Sequence, residues 1–272
     1  MALPSVTRRR LLLMALVPLL VRARSSVRVL ILTGRNNHDW RSTTPFLQKI
    51  LAAAGRFQVS VLEDPSRLTA AGLASVDVIV LDYNGPRWGR TAEEAVDGFV
   101  RSGKGLVVVH GASYAFGELE ILGDKHQRTG QFEPPWIEYG EMTGVTWTAG
   151  PPRSGHGKRH EFRVEITDNE HPITRGLAES FTIDDELYHH LVFQPGIHVL
   201  ARAYDAPEIG GTGKREPILW TVRFGKGRVF HTALGHDTKA MSAPGFAVTF
   251  ARGAEWAATG KVTLPPAVEV TE

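Results

Sequence analysis

Three runs, "VRVLILT" at 27–33, "DVIVLDY" at 77–83 and "GLVVVHGAS" at 105–113, are apolar at consecutive rather than alternate positions. A strand-length segment of this kind has to be covered on both faces, and a parallel sheet with helices packed on each side covers it. The intervening chain has the helical period such a sheet needs. In "PFLQKILAAAG", Phe46, Leu47, Ile50 and Leu51 recur at helical spacing, with Thr43 or Thr44 expected as the cap, Pro45 in the first turn and Gly55 at the close. A further strand is expected in "FQVSVLE" at 57–63, and a second helix over 91–102, with Ala95, Phe99 and Val100 facing inward and Gly103 ending it. The alternation predicts an open, mostly parallel α/β sheet with ligands bound beyond the carboxyl ends of its strands.

After about residue 117 the rhythm breaks. Through 159 the chain is rich in Gly, Pro, Trp and Tyr, as in "FEPPWIEYGEMTG" and "TAGPPRSGHGKRH", which predicts a loop-rich insertion or lid. Trp136, Tyr139 and Trp147 argue that it is ordered. Strand patterns return in "HEFRVEI", "HVLARAY" and "PILWTVRFGKGRVFHTAL", the last turning at 224–227 as a hairpin, so late antiparallel strands are expected. A terminal helix in "APGFAVTFARGAEWAATG" carries Phe246, Phe250 and Trp256 and stops at Gly260. With no internal repeat, one α/β domain over 26–264 and a tail over 265–272 is the simplest partition.

Composition removes several function classes. The 31 basic residues nearly balance the 29 acidic ones, a net charge of +2, and several arginines fall in the first 24 residues, so no nucleic-acid groove is expected. Cysteine is absent, which excludes disulfides, thiolate nucleophiles and sulfur-ligated metals. The opening "TRRRLLLMALVPLLVRA" places Arg8, Arg9 and Arg10 before an apolar run at 11–21, the order of an export signal and too short to span a bilayer. It resembles a twin-arginine signal cleaved near Val21-Arg22-Ala23, so residues 1–25 are expected to direct the chain to the periplasm or outside the cell, with no stable membrane insertion after their removal. An uncleaved anchor is the alternative.

Polar clusters stand where strands end: His38-Asp39-Trp40, Asp82-Tyr83-Asn84-Gly85, His110-Gly111-Ala112-Ser113 and His236-Asp237. A fifth, "FTIDDELYHH", holds Asp184, Asp185, Glu186, Tyr188, His189 and His190 before another strand-like stretch. Each has a plain structural explanation, as a loop-ordering pair, a satisfied buried polar group or a solvated charge run. Parallel strands would gather them at one rim, and that convergence is the argument for a site. Two chemistries suit the set. A divalent ion such as Zn²⁺, Mn²⁺ or Co²⁺ can be held by His38, His110 and His236, or His110 or His236 can act metal-free as a base with Asp237 or Glu186 setting its tautomer. Ser113 lacks the Gly-x-Ser-x-Gly frame of a hydrolase nucleophile. Asp185 and Glu186 are neighbours that would point to opposite faces of a strand, which argues against a paired-carboxylate glycosidase. His231 is read as structural, and His156 and His160 have no partner at ligand spacing.

The segments "VLILTGRNNHDW", "GLVVVHGAS", "ITDNEHPITRGL", "FTIDDELYHH" and "EPILWTVRFGKGRVFHTALGHD" resemble, in order, the signatures of the ThuA-like trehalose-utilisation family of the class I glutamine amidotransferase-like superfamily. The resemblance implies a flavodoxin-like three-layer α/β sandwich and a role in sugar catabolism on disaccharides or their 3-keto derivatives, beside a sugar oxidoreductase as pathway partner. Amidotransferase relatives use an elbow cysteine that this chain lacks, so a glutaminase is excluded. The family's polar positions fall on His38, His110, Asp185, Glu186, Tyr188, His236 and Asp237. Together these readings give His110, His236, Asp237 and Glu186 as catalytic candidates. For binding a small carbohydrate they give His38, Asp39, Trp40, Asn84, Ser113, Trp136, Asp185 and Tyr188. The expected activity is elimination or hydrolysis of a glycoside or 3-keto-glycoside with His110 as base; the alternative is a non-catalytic sugar- or protein-binding module.

Overall fold

The computed structural model describes residues 1, 26–122, 125–132 and 136–267, with the backbone alone over 117–132. The expected export signal, from residue 2 on, and the tail from 268 on lie outside the described residues. Along the chain come β1 (Val27–Leu32), α1 (Trp40–Ala53), β2 (Phe57–Leu62), β3 (Val78–Leu81), α2 (Arg90–Arg101) and β4 (Gly105–Val109). The insertion follows as the hairpin β5 (Gly117–Leu122) and β6 (Lys125–Phe132), then α3 (Ile137–Thr143), β7 (Val145–Thr146) and β8 (Gly155–His156). The remainder is β9 (His160–Ile166), β10 (Ser180–Asp185), β11 (Tyr188–His189), β12 (Val192–Phe193), β13 (His198–Tyr204), β14 (Arg215–Phe224), β15 (Gly227–Thr232), α4 (Thr238–Met241) and α5 (Pro244–Thr259).

Nine strands form one sheet in the order β10-β9-β13-β14-β15-β4-β3-β1-β2. The half β2-β1-β3-β4-β15 is parallel, the order of a flavodoxin-like sheet, and β14, β13, β9 and β10 extend it antiparallel. Continuous apolar strands feed both faces. From β1, Val27, Val29 and Ile31 pack with Leu47, Ile50 and Leu51 of α1 and with Phe246 and Phe250 of α5. Leu30 and Leu32 face the opposite core, with Val96, Phe99 and Val100 of α2 and Met142 of α3. These are the three layers expected from the sequence.

Two local expectations need correction. Helix α1 begins at Trp40 rather than after Thr43 or Thr44, and Pro45 lies inside it. The two hydroxyls do not cap; both donate to the buried Asp82 carboxylate, which binds them more strongly than a backbone amide would need them. "FTIDD", ahead of the strands that follow it as expected, is itself part of β10, pairing with β9. The insertion carries a helix, α3, whose Tyr139, Met142 and Thr143 are buried where no periodicity was apparent.

His231 is structural, as expected. It is fully buried, stacked on Trp220 at 3.9 Å between ring centroids, with Nδ1 3.2 Å from the Thr143 carbonyl and Nε2 2.7 Å from Ser113 Oγ. The carbonyl fixes the proton on Nδ1, so Nε2 accepts from the serine. Burial pushes its pKa down to about 3 from 6.5. Unfolded chain therefore takes a proton here below pH 6.5 while folded chain stays neutral until about pH 3, and stability falls across that window as pH drops. The limiting slope is about 1.4 kcal/mol per pH unit. Urea unfolding between pH 7 and 4.5 should show a shallower pH dependence for His231→Gln than for wild type; parallel profiles would refute the assignment.

Candidate functional site

The sheet topology decides which ends meet. From β15, each antiparallel step to β14, β13, β9 and β10 reverses direction, so β10 runs the same way as β15 and ends at the same rim as the parallel strands. In a flat sheet β10 would lie roughly 19 Å from β15. Instead it contacts α5, which packs on β4 and β15, so the antiparallel half curls around that helix and returns its last residues to the rim. There, Asp185 Oδ2 accepts from Gly235 N at 2.7 Å and Oδ1 from His236 N at 3.2 Å. Gly235 holds φ +111°, with Phe246 2.9 Å from where a Cβ would stand, so this tight exit from β15 requires glycine.

His38, His110, Glu186 and His236 meet at that rim, each with a ligand atom within 4.8 Å of all the others. Glu186 Oε2 lies 3.5 Å from His110 Nε2 and 3.2 Å from His236 Nδ1. Two of the imidazoles have their orientation set from behind. His38 Nδ1 is 2.9 Å from Asn36 Oδ1, and Asn36 Nδ2 donates to Asp82 Oδ1 at 3.1 Å. An amide oxygen only accepts, so His38 carries its proton on Nδ1 and turns the Nε2 lone pair to the cluster. His110 Nδ1 is 2.7 Å from the Ala233 carbonyl, which fixes the same tautomer, and Tyr188 Oη lies 2.7 Å from its Nε2. Among the described residues His236 Nδ1 is buried without a hydrogen-bond partner, its 3.2 Å approach to Glu186 being poorly aligned.

The backbone under these groups is strained in their favour. His110 sits at φ +39°, a region L-residues with side chains seldom enter, at the first turn after β4. Gly111 follows with no room for a Cβ, which would fall 2.7 Å from His38 Nδ1. Electrostatics bind the set. Burial opposes ionisation of Glu186, but His110 and His236 outweigh it and hold the carboxyl far below its usual range. Burial likewise pulls His110 down, yet Glu186, Asp185 and the Ala233 carbonyl raise it overall. His38 is driven well below its ordinary value by burial and then by the neighbouring imidazoles. Burial, then Glu186 and Asp185, pushes Tyr188 well up, so its phenol stays neutral.

The donors fit a divalent ion. Ligands about 2.1 Å from zinc stand roughly 3.4 Å apart, which the contacts around Glu186 Oε2 already approach. An orphaned buried nitrogen on His236 is the kind of atom a metal satisfies. Above the cluster opens a cleft of ≈390 Å³ lined by Asn37, His38, Tyr114, Trp147, Arg153, Ser154, Gly155, His156, Glu186 and Tyr188.

The model of the trehalose-utilisation family, ThuA, matches residues 28–257. The chain belongs to the ThuA family. That family lies within the glutamine amidotransferase-like superfamily, and membership points to a carbohydrate-related role. Among solved structures, a ThuA-like protein from Parabacteroides merdae is 31% identical with a TM-score of 0.76, covering 89% of this chain and 93% of that one. A ThuA-like protein from Bacteroides uniformis, 18% identical with a TM-score of 0.62 over 89% and 95% of the two chains, shares the fold. So does a portion of a β-galactosidase from Rahnella, 16% identical with a TM-score of 0.51 over 83% of this chain and 30% of that one. No curated protein matches the chain.

Not every residue expected at the ThuA site reaches it. Asp237 turns away: it caps α4, accepting from Ala240 N at 2.8 Å, and pairs bidentately with Arg159. Ser113 is buried on His231, and Trp136 packs with Trp88, Phe116 and Tyr139 in the core. Asp39 is an exposed cap of α1 and accepts from Ser42 Oγ, while Trp40 is buried with Arg41 over its ring. Asn84 is buried, accepting from Asn37 N at 3.0 Å, and Asp185 acts through backbone amides. His110 is behind Tyr188 rather than on the cleft wall, only 1% exposed. Asn36, Tyr114, Trp147, Arg153 and His156 line or support the site without having been expected there. His156 reaches it because β8 pairs with β11, setting His156 opposite Tyr188, a two-residue pairing flanked by glycines that reads as loop.

Asp185→Asn keeps the shape but turns an amide NH₂ toward backbone N–H groups. Loss of these buried bonds should lower stability by about 1–3 kcal/mol in urea unfolding. Unchanged stability would mean the Asp185 clasp is not needed to hold the rim together.

Proposed function

We propose that this chain is an exported enzyme that cleaves a glycoside carrying a 3-keto group, by proton abstraction and elimination or hydrolysis, with a divalent ion of the Zn²⁺, Mn²⁺ or Co²⁺ type held by His38, His110, Glu186 and His236. The observation that carries the reading is this four-donor cluster at the base of an aromatic-walled cleft. When bound, the ion supplies Lewis-acid polarisation of a carbonyl. The protein's own groups do the rest. Asn36, the Ala233 carbonyl and Asp185 keep the ligand set oriented, so no reorganisation is needed when charge develops. Trp147, 4.5 Å from Tyr114 and 5.0 Å from Tyr188 between ring centroids, gives a sugar ring an apolar wall, and the neutral Tyr188 phenol can donate to an oxygen that becomes negative. A module that only binds sugar has no use for a strained His110 and a half-buried carboxylate among three imidazoles. Export is supported by the Arg8–Arg10 and apolar N-terminal pattern, and a sugar oxidoreductase that introduces the keto group is the expected pathway partner.

Purified protein incubated with a 3-keto-glucoside should release the aglycone, stop on chelation and recover with Zn²⁺, Mn²⁺ or Co²⁺, and His236→Ala should lose about 100-fold or more in rate. Substrate left intact under every metal condition sinks the proposal.

A further inference from the structure

In a loaded cluster the lone pairs of His38, His110 and His236 are committed; the second nitrogens of His38 and His110 are hydrogen-bonded from behind, and a neutral His236 ligating through Nδ1 carries its proton on Nε2. None is left to accept a substrate proton. Among the described residues the cleft wall offers one other imidazole. His156 lines the cleft with its side chain 38% exposed, against 2% for His110 and 13% for Glu186. Its Nδ1 is 2.8 Å from the Gly157 carbonyl, so the proton resides there and Nε2 keeps an in-plane lone pair. Nε2 lies 3.4 Å from Glu186 Oε2, beside the cluster but outside the four-donor set. The strand pairing with Tyr188, ring centroids 6.0 Å apart, holds the ring over the site. Among the described residues the other polar groups facing the cleft outside the ligand set are poor bases: the amide of Asn37, the phenols of Tyr114 and Tyr188, the guanidinium of Arg153, and Ser154, whose Oγ already donates to His190 O and accepts from Thr148 N.

Resting on the keto-glycoside reading, we infer that His156 is the catalytic acid–base of the cleft. Its Nε2 takes the proton from the carbon between the keto and anomeric carbons, and the C–H electron pair moves to make the enolate. The enolate then re-forms the carbonyl and expels the glycosidic oxygen from the anomeric carbon, leaving a carbon–carbon double bond. That oxygen collects the proton from the His156 imidazolium, so one C–H and one C–O bond are exchanged for one C=C π bond and one O–H bond without any oxidant.

The test compares wild type, His156→Gln and His156→Ala after zinc loading. Metal content is measured by mass spectrometry and cleavage with a 3-keto-glucoside. The expected result is wild-type zinc stoichiometry in both variants, cleavage slowed about 100-fold or more, and partial recovery of the alanine variant by added imidazoles in order of their basicity. Wild-type cleavage in His156→Gln overturns the inference, and so does loss of zinc, which would make His156 a ligand. A zinc-loaded wild type that leaves the keto-glucoside intact overturns the underlying reading and the base assignment with it.

Discussion

The site depends on one buried carboxylate. Asp185, with no exposed surface, ends the edge strand of the antiparallel half and holds the amides of Gly235 and His236, which follow the last parallel strand. It also accepts from Glu186 N at 2.8 Å, so the same group fixes the start of the segment that delivers Glu186 and Tyr188. Burial pushes the Asp185 carboxyl up, against its backbone donors, so the clasp is costly in isolation and is repaid only by closure of the curled sheet. The ends of β1, β4, β10 and β15 become one site because this clasp exists.

Around the clasp, neighbouring elements support the first contacts in the same way. The Asp82 carboxylate gathers Asn36, Thr43 and Thr44, joining the ends of β1 and β3 to the opening of α1 and orienting His38 through Asn36. Arg159 ties Asp184 at the end of β10 to Asp237 at the start of α4, on the outer side of the same junction. His38, His110 and the backbone of His236 are therefore held by groups that are themselves held, which is what a preorganised site requires. In this chain the strand order reverses between β1 and β3, and four antiparallel strands extend the sheet beyond β15.

Much of this was legible in the sequence because it depends on period and position. Consecutive apolar strands fixed a sheet buried on two faces, and polar residues at strand ends named His38, His110 and His236. Glu186 was legible as chemistry but not as geometry, because its strand reaches the rim only through four reversals and a curl that no local pattern encodes. The start of α1 was misplaced because Thr43 and Thr44 have the chemistry of caps, and only a carboxylate 38 and 39 residues away shows where their hydroxyls go. Asp237 was drawn to the site by adjacency to His236, yet Arg159, 78 residues earlier, takes its charge. His156 has no partner at ligand spacing in its glycine- and proline-rich stretch, and its place is set by the pairing of β8 with β11.

The most direct test of the account is anomalous diffraction at the zinc edge from crystals grown with Zn²⁺. A single strong peak is expected at the rim, about 2.0–2.2 Å from one atom each of His38, His110, Glu186 and His236. A rim without a peak at saturating zinc, or one in which these four side chains point apart, would contradict it.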